Sequence, residues 1–248
     1  MADKRVSRDS RVGDLVHAGE IKFGLFPPQY FKDTKTGGLK GIWVEIAREL
    51  AAHVGVKAVL MEFPSPLAVV KCMSDGTCDI AFLGYDPDRA DEVEGFSPPF
   101  VGVEYTFLVC EGSAIRNIAD ADGHGIRIAA VTGHASTLTL GRILRYAEMI
   151  AADTPDDAFG LLSSGRVDAW ASVRPALLDY SARLLRSRVI EGNFGANLPA
   201  VVVAKGHAAR LAYVSEFIEH AKTSGLLQQA IDRGGQVGYQ MPPPAKSN

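Results

Sequence analysis

The segment Ile80-Ala-Phe-Leu83 carries no polar side chain and is bounded by Asp79 and Gly84. A short run of this kind suits a strand buried on both faces, as in a parallel sheet covered by helices. The segments around it set the alternation. Glu20-Ile-Lys-Phe-Gly-Leu25 reads as a strand entering a loop at Pro27-Pro28. Ile42, Ile46, Ala47, Leu50, Ala51 and Val54 recur at helical spacing before Gly55. Val56 to Phe63 is a second strand, and Leu67 to Met73 a short helix. The order β-α-β-α-β belongs to an open, doubly wound α/β sheet.

The order then repeats. Val103–Cys110 is a longer strand, followed by a strand at Ile126–Val131, a helix at Ser136–Tyr146 and a strand at Glu148–Ala151. A helix over Thr154–Ser163, a strand over Val167–Ala171 and a helix over Pro175–Leu185 complete the second set. Ala200–Ala204 is a further strand, and one terminal helix is expected from Ala208 to about Arg233. Two such sets imply two lobes. Val103–Cys110 crosses into the second lobe, and the strand near Ala200 crosses back. A cleft is expected at the carboxyl ends of the strands. The lobes are expected over 19–104 plus 200–240 and over 105–199, with flexible ends at 1–18 and 241–248.

Several function classes are disfavoured. The chain has 248 residues and a net charge of −3, with no basic stripe for nucleic acid. No apolar run approaches the roughly 20 residues that span a bilayer. The start, Met1 to Ser10, has charges but no apolar stretch, so it does not read as a signal peptide. A periplasmic location is expected if a signal has been removed, and a cytoplasmic one if this start is native. Cys72, Cys78 and Cys110 read as small packing residues, with at least one free thiol. No metal or nucleotide motif is present, and no cofactor is expected.

Six stretches, in this order, carry a resemblance: Gly38-Leu-Lys-Gly-Ile-Trp-Val-Glu-Ile-Ala47, Asp75-Gly-Thr-Cys-Asp-Ile80, Asp86-Pro-Asp-Arg-Ala90, Phe96-Ser-Pro-Pro-Phe100, Ile128-Ala-Ala-Val-Thr-Gly-His-Ala-Ser136 and Gly165-Arg-Val-Asp-Ala169. Over about residues 18 to 238 the chain resembles the bacterial extracellular solute-binding proteins of family 3, the polar-amino-acid type, and within them a signal-less subgroup. The resemblance implies the type II periplasmic-binding-protein fold: two doubly wound lobes joined by two crossing strands. It also implies a monomer that binds a small polar ligand with a carboxylate and serves an ABC transporter permease.

It further implies site residues. Arg89 would grip the carboxylate through its planar fork, with Gly84 and Tyr85 leading into that loop; an ion pair with an acid such as Glu92 is the alternative. Gly133, His134, Ala135 and Ser136 would offer backbone amides and a hydroxyl, unless Ser136 is a plain N-cap. Phe26 and Tyr30 would cover the ligand or pack the loop, and Gln29 lies between them. Trp43 reads as packing. Amino-acid binders usually hold the ligand ammonium with an Asp at the place of Val173. Arg174 follows and would favour an acidic solute if it enters the cleft. The rival expectation is an enzyme on this fold, such as a prephenate- or arogenate-type dehydratase, for which Glu104, Glu111 and Glu191 are the acids to consider.

Overall fold

The computed structural model describes residues 7–84, 91–235 and 237–240. In chain order, a 3-10 turn (Ser10–Val12) leads into α1 (Gly13–Ala18), β1 (Glu20–Leu25) and a hairpin of β2 (Phe31–Lys32) and β3 (Leu39–Lys40). Then come α2 (Ile42–Val54), β4 (Lys57–Glu62), α3 (Pro66–Ser74), β5 (Ile80–Gly84) and β6 (Gly95–Phe96). β7 (Gly102–Cys110), β8 (Arg127–Val131), α4 (Ala135–Ile143), β9 (Glu148–Ala152), α5 (Pro155–Ser163), β10 (Ala169–Val173) and α6 (Arg174–Ser181) follow. The chain finishes with β11 (Ser187–Val189), β12 (Gly195–Asn197), β13 (Pro199–Val203), α7 (Ala208–Thr223), α8 (Leu226–Gly234) and β14 (Tyr239–Gln240).

The described residues fall into two compact units: 7–84, 91–101 and 198–235, and 102–197 with 237–240. The sheet of the first unit runs β4-β1-β5-β13-β6, with β4, β1 and β5 parallel and β13 antiparallel to β5. The sheet of the second runs β11-β7-β10-β8-β9, with β10, β8 and β9 parallel and β7 antiparallel to β10. β12 and β14 also pair with β7.

The same physics builds both units. Ser65 caps α3 by accepting from the Ala68 amide, and Pro66 opens the helix. Thr154 caps α5 by accepting from the Asp157 amide, and Pro155 opens it. In each, a proline fixes the first helical φ where no N–H is needed. Each helix is followed by a glycine at positive φ, Gly76 at 75° and Gly165 at 71°. An Asp comes next. Asp79 accepts from the Lys22 amide at 2.8 Å and its own amide donates to the Lys22 carbonyl at 2.9 Å. Asp168 does the same to Arg127, both at 2.8 Å. Each Asp therefore sets the register between the first and third parallel strands of its unit.

Cores form on both faces of the sheets. In the first unit Phe23 stacks on Phe82 at 6.1 Å, and Trp43 meets Phe82 and Phe100 edge-on at 5.8 and 5.3 Å. In the second, Trp170 is fully buried and meets Tyr180 edge-on at 4.8 Å. Trp43 is buried at the start of α2 and is a packing residue, as expected.

Several expectations need correction. Residues 10–18 are not a loose arm. Val12 and Leu15 are buried, Arg11 Nη1 reaches Glu216 at 2.6 Å, and Arg210 pairs with Asp14. Cys72 and Cys78 are joined in a disulfide with Cα atoms 5.5 Å apart, and only Cys110 is free. Their packing role holds, since both are buried, but they are covalently bridged. The terminal helix breaks at Gly225, which takes a left-handed φ of 78°. Residues 237–240 leave the first unit and pair with β7.

Candidate functional site

The sequence-derived candidates lie on loops that leave the carboxyl ends of parallel strands, where open α/β sheets bind their ligands. In the first unit the loop after β1 folds around Gln29. Its side-chain Nε2 donates to the Phe82 carbonyl at 2.7 Å, and its Oε1 accepts from the Phe26 amide at 3.2 Å. A buried amide satisfied in this way fixes the loop. Phe26 is 8% exposed and packs with Val69, Val70 and Leu83, so most of its ring belongs to the core. Tyr30 is half-buried and hydrogen-bonds Glu62, the last residue of β4. Burial first, then the hydrogen bond and charge of Glu62, push its phenol up to about 12. Lys32 neutralises the same carboxylate at 3.1 Å. Gly84 ends β5 opposite Pro199. Tyr85 and Arg89 lie outside the described residues, as does the whole segment 85–90.

In the second unit β8 runs into Thr132-Gly-His-Ala-Ser136. Gly133 takes φ 77°, a left-handed turn that a residue with a Cβ rarely adopts. The His134 amide donates to the Val131 carbonyl at 3.2 Å, and Thr137 Oγ1 donates to the same carbonyl at 2.6 Å. His134 is the residue that precedes the helix, so Ser136 is not the N-cap; it sits one residue inside α4 and is buried. His134 is also buried rather than solvated. Nine residues of α4 place their positive end at this loop.

The β10 end differs from the acidic-solute expectation. Arg174 donates through Nε to Glu104 at 2.8 Å and through its two Nη atoms to the carbonyls of Ile190 and Gly192 at 3.4 and 2.5 Å. Asn193 Nδ2 donates to the other Glu104 oxygen at 3.2 Å. The guanidinium is thus committed within its own unit. Sequence reading weighed Arg174 and Glu104 apart, because 70 residues separate them. It also passed over Glu62 as the partner of Tyr30. Asp153 follows β9, exposed, beside Thr132 on the neighbouring strand. Among the described residues no three His, Cys, Asp or Glu side chains gather to hold a metal ion, and no helix is long and apolar enough to cross a membrane.

Paired βαβ sets with candidate loops at both sets of strand ends are matched by a family model covering residues 24–233: bacterial extracellular solute-binding proteins, family 3. The chain belongs to this family. The "Putative aliphatic sulfonates-binding protein" of Escherichia coli is 33% identical over 141 residues, 52% of this chain and 43% of that protein. The chain thus matches less than half the length of that relative. The ABC transporter glutamine-binding protein of Bacillus subtilis is 23% identical over 199 residues, 78% of this chain and 72% of that one. Among solved structures, an ancestral amino-acid-binding protein, described as a precursor of cyclohexadienyl dehydratase, superposes with a TM-score of 0.78 at 22% identity. That likeness covers 89% of this chain and 97% of the other, and it establishes the type II periplasmic-binding-protein fold. Family 3 membership places the chain among the solute-binding proteins.

Proposed function

We propose that this chain binds a small polar solute through an acidic head group and passes it on to an ABC permease unchanged. The observation that carries this reading is the loop Gly133–Ser136. It combines a left-handed glycine, a buried serine and the start of a nine-residue helix at the end of a parallel strand. Backbone amides at such a place favour an anion. Arg89, outside the described residues, is proposed as the arginine that grips an acidic head group, through the bidentate geometry of its planar fork. Gly84, Phe26 and Tyr30 are the candidate ligand residues among the described part of the first unit, and Ser172 and Val173 those beside Arg174 in the second.

A carboxylate is the head group proposed, with the sulfonate of the Escherichia coli relative's named ligands a chemical neighbour. The family is typically periplasmic. The Cys72–Cys78 bridge favours that location, since disulfides persist in oxidising compartments. The protein is proposed to act as a monomer.

The dehydratase alternative needs an acid free to transfer a proton. Glu104 is held by Arg174 and Asn193, and Glu111 by Arg186 at 2.6 Å, so the described acids considered for that role are mostly engaged. The test is a thermal-shift panel on the wild type, Arg89→Ala and Ser136→Ala. A ligand that binds only the folded chain raises the melting temperature. Both variants are expected to fold and to lose the shift given by the wild-type ligand. Wild-type affinity in both would remove this site assignment.

A further inference from the structure

The first unit carries two imidazoles side by side on its surface. His53 lies in the last turn of α2 and His220 in the last turn of α7. Both are exposed, and their ring centroids are 6.3 Å apart with the planes tilted by 31°. His53 rests on the rings of Tyr213 and Phe217, at 5.9 and 5.2 Å, and both of those are buried. Tyr213, Phe217 and His220 recur at helical spacing on one face of α7, so the shelf that holds His53 also presents His220. Among the described residues no hydrogen bond or ion pair engages either imidazole. The charges around them are already balanced. Glu49, one turn before His53, takes Arg233 at 2.6 Å. Glu216, one turn before His220, takes Arg11 at 2.6 Å, and Glu219 takes Lys222 at 2.7 Å. Arg11 also pairs with Asp9 at 2.8 Å and lies over the Tyr213 ring at 5.4 Å.

We infer that His53 and His220 together bind a borderline divalent transition-metal ion, of the class of Zn²⁺ or Ni²⁺, through one ring nitrogen each. Imidazole suits such ions, whereas Mg²⁺ and Ca²⁺ take sets of oxygen ligands, and the carboxylates nearby are held by arginine and lysine. A separation of 6.3 Å between ring centres holds two metal–nitrogen bonds of about 2 Å each, and exposed side chains can turn to adjust the angle. The carboxyl ends of two helices meet there, and their dipoles favour a cation. Burial first, then the charge of His220, holds the His53 pKa below its ordinary value, so its ring is in the neutral, metal-binding form near pH 7. Among the described residues no third His, Cys, Asp or Glu joins the pair, so water completes the coordination. A bound ion fastens α2 to α7. α2 ends where β4 begins, at the opposite end of that sheet from the loop after β1, so this site is separate from the solute reading.

Metal titration tests this. Tag-free protein carrying Cys110→Ser, which removes the free thiol, is titrated with ZnCl₂ and NiCl₂ by calorimetry at about pH 7.5 and followed by thermal shift. One ion per chain is expected, with a rise in melting temperature of about 2 °C or more at saturating metal and no rise with MgCl₂. His220→Ala is expected to melt like its parent without metal and to bind about tenfold or more weakly. His53→Phe keeps a ring on the Tyr213–Phe217 shelf and removes the nitrogens, so it is expected to fold like its parent and to lose the ion. At about pH 5.5, protons compete for both rings, and binding is expected to weaken about tenfold or more. Absence of a metal-dependent shift in the parent, or parental affinity in both His53→Phe and His220→Ala, overturns the inference.

Discussion

Arg210 shows how much one buried cation organises. Its side chain is 5% exposed, pairs with Asp14, and reaches Asp79 Oδ1 at 3.7 Å and the Asp79 carbonyl at 3.2 Å. It thereby ties α1, the start of β5 and α7 together. Arg210→Ala is expected to cost about 2–4 kcal/mol in chemical denaturation, because it leaves acids facing a cavity, partly offset by their access to water. Ligand binding should survive in the folded fraction. Asp168 gives a pH-dependent counterpart in the second unit. The side-chain hydrogen bond from Arg127 holds its carboxyl below the usual range; burial opposes this, and the Arg127 amide adds to it. A depressed folded value means that the contribution is present above the unfolded value of about 3.9 and is lost as pH falls through the folded one. Acid titration of Asp168→Asn should therefore show less loss of stability below about pH 4 than the wild type, with lower stability at neutral pH. An unchanged acid limb would mean that the Asp168–Arg127 contact contributes nothing.

At the scale of elements, the two βαβ sets were legible because their patterns are local. Apolar spacing marks α2, and the apolar run marks β5. What was not legible depends on distant partners. The Arg174–Glu104 pair joins α6 to β7, and the side chain of Arg210 joins three elements. The Cys72–Cys78 bridge also escaped, since a spacing of six residues carries no motif and only the turn at Gly76 brings the thiols together. The bridge and one helix crossing can each be tested at this scale. Thiol titration of the unfolded, unreduced chain should find one reactive group, Cys110; three would contradict the bridge. Reduction should lower stability by about 2 kcal/mol, as expected for a short closed loop. Gly234 lies where α8 crosses α2, and a Cβ there would stand 2.8 Å from the Ile42 backbone nitrogen. Backbone cannot yield as a side chain does, so Gly234→Ala is expected to destabilise by about 1–3 kcal/mol in urea melts. A neutral result would mean that the two helices separate freely.

For the whole molecule, the division into two units and the family 3 match cover most of the chain, while the ligand is decided by a few loop residues. The candidate site was legible only where it is local. Gly133–Ser136 was found because a strand, a glycine and a helix start are contiguous. The central claim is that the chain binds a small acid-headed solute and leaves it intact. Isothermal titration calorimetry with an amino-acid, dicarboxylate and keto-acid panel, followed by chemical analysis of the recovered compound, addresses it most directly. The account predicts saturable binding at one site per chain and recovery of the compound unchanged. Absence of binding across the panel, or conversion of the compound to a product, would contradict it.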